Sequence, residues 1–236
     1  MSADAAAQGG SRERILTATA KLLAEGGQEA VSTRAVGAAA GVQAPTIYRL
    51  FGDKQGLLDA VAAEGYAAYL RDKAELKPTG DPLADLRAGW DLHIGFALAN
   101  PALYLVMAGG LRPGATPPPA AVAGFEVLAE RIRRVAEAGR LRVPEERAAQ
   151  LVHAAGDGTA VTLIGQPEDR RDPELSVLAR EAVIAAITTD APATQQPGPA
   201  AAAIALRAAL PHAHGLSAAE RAMLREWLDR ISSATG

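Results

Sequence analysis

The 236-residue sequence has no cysteine, which excludes disulfides, thiolate metal sites and a cysteine nucleophile and leaves the redox compartment open. Nowhere do about 18 apolar residues run unbroken, so no segment is expected to span a membrane. The opening MSADAAAQGG has neither a basic start nor an apolar core and does not read as a signal peptide; the expected location is the cytoplasm. Also missing are a G-x-S-x-G elbow, a P-loop and a G-x-G-x-x-G behind a strand. The four histidines lack metal-ligand spacing with a third carboxylate, and His212-x-His214 sits in a turn beside Pro211. No metal, no cofactor and no catalysis are expected. Period-2 alternation rich in β-branched residues and internal repeats are absent too, so the chain reads as all-α.

What is present centres on Ser32 to Leu58, STRAVGAAAGVQAPTIYRLFGDKQGLL. Thr33 to Ala40 reads as a short helix, with Val36 and the alanines at 38 to 40 as a small apolar face. Gly41 suits the left-handed residue that ends a helix, and Val42 plugs the corner. A second helix runs from Pro45 to Phe51, with proline in the first turn, where its missing N–H is harmless. Another opens near Asp53, an N-cap residue, and carries Leu57, Leu58, Val61 and Ala62 at helical spacing. Two helices joined by a short glycine-containing turn have the helix-turn-helix geometry of DNA readers. A helix lined with Thr46, Tyr48 and Arg49 can lie in the major groove, its hydroxyls and guanidinium reaching phosphates or base edges.

The pattern T-R-A-V-x-x-x-A-G-V-x-x-P-T-I-Y-R-x-F-x-D-K-x-x-L-L resembles the N-terminal domain of TetR-family transcriptional regulators, closely over about residues 11 to 70. The resemblance implies a three-helix DNA-binding domain at 11–55, a linking helix at 54–76, and a larger helical domain at 81–236 for effector binding and dimerisation. It also implies operator contacts from Thr33, Arg34, Gln43, Ala44, Pro45, Thr46, Tyr48, Arg49 and Lys54. Three positions depart from the family pattern. Leu50 stands where histidine is frequent and is expected to alter the sequence read. Leu23 and Gln28 replace aromatics and are expected to repack the core.

The net charge of −3 is unevenly spread. Residues 11 to 55 hold six Lys/Arg against four acids, whereas residues 56 to 236 hold 18 against 22. A weakly basic head on an acidic body suits specific binding through few phosphates rather than non-specific coating.

The rest reads as helices. Residues 1 to 10 are expected to be a flexible tail, and Ser11 to cap a helix from Arg12 to Glu25 that Gly26-Gly27 ends. Lys77-Pro78-Thr79-Gly80 marks the boundary between domains. Asp81-Pro82, Asn100-Pro101, Val143-Pro144-Glu145 and Asp172-Pro173-Glu174 are helix starts, with helices expected near 82–99, 101–109, 118–138, 144–165 and 173–189. Residues 190–199 read as a linker before helices near 200–210 and 217–232. The latter opens with a Ser217-x-x-Glu220 capping box and is expected to bury Met223, Leu224, Trp227, Leu228 and Ile231.

Between 148 and 187 there are no aromatics and many small residues, which let helices approach closely. Val152, Ala155, Thr159 and Leu163 form one stripe, and Leu175, Leu178, Ala182 and Ala186 another. Two such helices from each of two chains make a four-helix bundle, as the family resemblance also implies, so both stripes are expected at a homodimer interface. Aromatics concentrate earlier. Trp90, His93, Phe96, Tyr104, Met107 and Phe125, with His153, are the candidate lining of an effector site, since ligand sites are mostly apolar with few placed polar groups. His93 is expected at the centre of the stripe Leu83, Leu86, Trp90 and Ala97, where a buried imidazole needs a partner. The reading is a homodimeric regulator, a repressor by resemblance, released from palindromic operator DNA by a small apolar or aromatic molecule. The rival is a helical small-molecule-binding module without specific DNA binding.

Overall fold

The computed structural model describes residues 3–75, 78–109, 119–189, 198–213 and 215–233. The fold is all-α. The β pairing among the described residues is one isolated antiparallel bridge, between Leu141 and Thr188. In chain order the helices are α1 Ala3–Ala30, α2 Thr33–Ala40, α3 Ala44–Phe51, α4 Lys54–Glu75, α5 Pro82–Ala99 and α6 Pro101–Gly109. They continue with α7 Pro119–Glu137, α8 Glu145–Ile164, α9 Pro173–Ile187, α10 Pro199–Ala209 and α11 Ala218–Ser233.

Helix ends follow the capping chemistry. Asp172 Oδ1 accepts from the Glu174 N–H at 2.9 Å, and Asp81 Oδ1 from that of Leu83 at 3.0 Å. The box at α11 closes both ways: Ser217 N donates to Glu220 Oε2 at 2.8 Å and Glu220 N to Ser217 Oγ at 3.3 Å. Asn100 instead turns back, its Nδ2 donating to the Phe96 carbonyl at 3.1 Å, and so closes α5 rather than opening α6. One expectation fails at the N-terminus. Residues 3–10 are not a loose tail but the first turns of α1, consistent with the high helix propensity of their alanines. Ser11 is then inside the helix, where its Oγ accepts from Arg14. The helix breaks at Gly26 and Gly27, which have non-helical dihedrals, as the sequence suggests. The linker at 190–199 lies outside the described residues except for its last two, and His214 lies outside them as well.

By compactness the chain divides into two units, Met1–Asp72 with Gly95–Ala121 and Lys73–Ile94 with Val122–Gly236. The expected cut at 77–80 differs, because α6 groups with the N-terminal helices. In the first unit Ile15, Leu23, Val36, Ile47, Leu57 and Val106 share one buried core. Burial of each such side chain contributes roughly 1.5–3 kcal/mol. Leu23 therefore repacks the core as expected, but Gln28 is exposed.

The second unit holds α5 as far as Ile94 against α8 and α9. Its buried row is Leu83, Leu86, Trp90 and Ile94, so His93 sits at the edge of that row rather than its centre. Trp90 Nε1 donates to Ser176 Oγ at 3.0 Å. Arg87 grips Glu181 bidentately, Nε to Oε1 at 3.0 Å and Nη2 to Oε2 at 2.8 Å. Hydrogen bonds from Arg87, joined by Arg180, bring the Glu181 carboxyl down to about 2. Helices α10 and α11 form a hairpin around Ala203, Leu210 and Leu228. Arg207 of α10 ties it to the start of α8 through Glu145 and Glu146, and to Asp229 of α11 at 2.8 Å. Met223, Trp227 and Ile231 are exposed, not buried as expected. The contact with α10 takes up the Leu224–Leu228 side of α11 and leaves the adjoining row, at i, i+4 and i+8, facing outward.

Candidate nucleic-acid interface

The corner that positions α3 is built from α2 outward. Ser32 Oγ accepts from Ala35 N at 3.1 Å, a cap at the start of α2 that its place before Thr33 could have signalled. Gly41 follows α2 in the left-handed region, φ 65. The Val42 N–H then donates to the Gly37 carbonyl at 3.0 Å. A Cβ at Gly37 would stand 2.9 Å from Val42 O, so only glycine lets the turn lie this close to α2. Ile47 anchors α3 in the core from its inner side. Asp53 Oδ1 accepts from Gly56 N at 2.7 Å and starts α4.

With Ile47 inside, the other faces of α3 are set by helical geometry. Gln43, Pro45, Tyr48 and Arg49 are exposed, Tyr48 by 51%. Ala44 and Thr46 are half-buried. Arg34 is exposed on α2 beside half-buried Thr33. A hollow of about 450 Å³ between α2 and α3 is bordered by Thr33, Arg34, Ala38, Gln43 and Ala44. Leu50 is half-buried and packs against the core of the first unit. Lys54 is exposed, but its Nζ donates to the Gln28 carbonyl at 2.9 Å, across to the segment after the α1 break. That bond uses one of three ammonium protons. Arg12 is half-exposed, with Nη1 3.2 Å from Glu64 Oε1 and its guanidinium 5.7 Å from the centre of the Phe51 ring.

The aromatic candidates fall in both units. Trp90, His93, Phe125 and His153 belong to the second, Phe96, Tyr104 and Met107 to the first. Asp157 Oδ1 lies 3.3 Å from His93 Nε2, and its Oδ2 lies 3.5 Å from His153 Nε2. The His153 ring meets Phe125 edge-on at 5.7 Å. Phe96 packs on Tyr69 with ring centroids 4.7 Å apart, a neighbour that helical periodicity within one helix cannot reveal. Tyr104 is buried.

The dimer candidates divide as well. Val152, Thr159 and Leu163 face the chain's own interior, with Val152 only 6% exposed. That side of α8 meets α5: a Cβ at Gly156 would lie 3.5 Å from His93 Cδ2 and 3.7 Å from Trp90 Cζ3. Ala155 and Leu175 are half-buried. On α9, Leu178 is 66% exposed and Ala182 and Ala186 are exposed with it. The free side of α8 carries Leu151, Ala154, Gly158 and Val161. This second stripe of small and apolar residues runs at the same helical spacing as the first.

Residues 15–61 match the family model described as bacterial regulatory proteins, tetR family. No curated protein sequence matches the chain. Among solved structures it is similar to SmeT, the repressor of the Stenotrophomonas maltophilia multidrug efflux pump SmeDEF, with a TM-score of 0.55 and 25% identity over 79% of this chain and 94% of that one. A TetR-family transcriptional regulator of Haemophilus influenzae Rd aligns with a TM-score of 0.54 and 21% identity, over 78% of this chain and 99% of that one. The transcriptional regulator FadR of Bacillus subtilis, solved with stearoyl-CoA, aligns with a TM-score of 0.57 and 18% identity, over 73% and 95%. With its helix-turn-helix matched in sequence and its helical plan shared with these structures, this chain is a DNA-binding transcription regulator with the reading head of the tetR family.

Proposed function

We propose that this protein is a homodimeric repressor that holds a near-palindromic operator until a small apolar or aromatic effector binds its body and releases it. The observation that carries the reading is the presentation of α3, anchored by buried Ile47 with Gln43, Tyr48 and Arg49 outward. One such helix reads only a few base pairs and buries too little surface for tight specific binding. A two-fold dimer sets two of them about 34 Å apart, one turn of DNA. Residues 11–55 then form the reading domain, 54–76 the link, and 81–236 the effector and dimerisation domain, acting in the cytoplasm where the operator is.

The exposed faces of α8 and α9, with Leu151, Ala154, Gly158 and Val161 beside Leu178, Ala182 and Ala186, suit close packing in a four-helix bundle between two copies. In the second unit, Trp90, Phe125 and the His93–Asp157–His153 group combine apolar rings with placed polar atoms, as effector sites do. Repression is supported by the likeness to SmeT, at 25% identity. Coupling of about 2.7 kcal/mol between effector and operator suffices for a hundredfold release. The test is a mobility shift of the full chain on the DNA upstream of its own coding sequence, with unlabelled specific and scrambled competitors. A shift that only the specific competitor abolishes supports the proposal. Equal competition by both favours the binding module without specific DNA recognition.

A further inference from the structure

Within the DNA reading proposed above, on which this inference rests, one side chain is set apart by its placement. Gln43 stands immediately before α3 in extended backbone, φ −81 and ψ 147, and its amide makes no capping bond to the helix. It is exposed. The backbone beneath it is held on both sides, by Thr46 N donating to the Gln43 carbonyl at 2.9 Å and by Val42 N donating to Gly37 at 3.0 Å. The amide therefore projects from a preset base, at the end of α3 whose residues reach base edges when such a helix enters the major groove.

The residues that directly follow it in the first turn of α3 offer less, while Tyr48 and Arg49 stand exposed further along the helix. Ala44 and Pro45 bring only carbon, suited to a thymine methyl, while Thr46 brings a single hydroxyl. Ile47 is buried, and Leu50 is half-buried against the core. A primary amide carries an acceptor and a donor side by side. The base whose major-groove edge presents the complementary pair is adenine, with its N6 amino donor beside its N7 acceptor. We propose that Gln43 is a specificity-determining residue that reads one adenine in each operator half-site. Its Oε1 accepts from adenine N6, and its Nε2 donates to N7.

The test is selection from randomised duplex DNA with the full chain, comparing wild type, Gln43→Ala and Gln43→Arg. Wild type is expected to enrich sites with adenine at two symmetry-related positions, each preferred about tenfold or more. Gln43→Ala should flatten those two positions and leave the rest of the motif. Gln43→Arg should replace adenine by guanine there and nowhere else, because a guanidinium donates to both O6 and N7 of guanine. A wild-type motif that survives Gln43→Ala at every position overturns the assignment while the DNA reading stands. No enriched motif for wild type would overturn both.

Discussion

Lys54 serves the fold through one proton and leaves two for DNA. Its bond to the Gln28 carbonyl joins the end of α1 to the start of α4, and its exposure keeps the ammonium available to a phosphate. Lys54→Ala should lower Tm slightly by removing that tie. It should also weaken binding to all sequences alike and reduce the salt slope by about one unit per protomer. A variant that changes stability and leaves the slope untouched would confine Lys54 to the fold. Gly37 is the opposite kind of residue, with no surface role. In Gly37→Ala the new methyl meets Val42 O at 2.9 Å, so the turn must move. Overpacking of this sort costs typically about 1–3 kcal/mol. Chemical denaturation should report that loss, together with a fall in operator affinity; an unchanged midpoint would mean the turn yields freely.

At the scale of helices, the clamp between α5 and α9 makes a pH prediction. The Glu181 carboxyl falls from an ordinary 4.5 to about 2 because it accepts hydrogen bonds from Arg87 and Arg180. A depressed carboxyl stabilises the fold fully above its ordinary value and loses that contribution as pH falls from about 4.5 through about 2. Glu181→Gln should therefore lower Tm at pH 7 and show a flatter decline over that acid window than wild type. The pair is partly exposed, which keeps the effect modest. Parallel declines for the two proteins would leave Glu181 no part in acid unfolding. For α8 and α9, Leu178→Glu or Val161→Glu should give folded monomers that lose operator binding. Val152→Glu should instead unfold the second unit, since it places a charge in the chain's own interior. Light scattering and circular dichroism separate the two outcomes, and a persistent dimer in both surface variants would move the interface elsewhere. The same helix shows what could be read from sequence. Proline, aspartate and glycine mark ends by local chemistry, so the bounds of α2 to α11 and the α2–α3 corner were legible, whereas the start of α1, which has no such marker, was not. Stripe choice was not, because α8 carries two small-residue faces of equal period, Val152–Thr159–Leu163 and Leu151–Ala154–Gly158–Val161, and only the packing of α5 decides which is inside. Trp227 and Met223 misled for the same reason: apolar spacing on α11 records a partner's side only once α10 is in place.

For the whole molecule, charge placement matters more than the total of −3. Among the cations of the reading head, Arg12 is paired with Glu64 and Lys21 lies 3.9 Å from Glu25. Arg34, Arg49 and Lys54 are the exposed cations of the α2–α3 corner and the start of α4. If all three contact phosphates in both protomers, log Kobs against log salt should have a slope of roughly −5. The measurement that tests specific DNA reading most directly is fluorescence anisotropy of the full chain at fixed salt on its selected site and on a scrambled duplex, with Tyr48→Ala in parallel. The selected site should be bound at least about a thousandfold more tightly than the scrambled one. Tyr48→Ala should lose most of that ratio while keeping its weak binding to the scrambled duplex. Equal affinity of the wild-type chain for both duplexes would contradict a reading head at α2–α3.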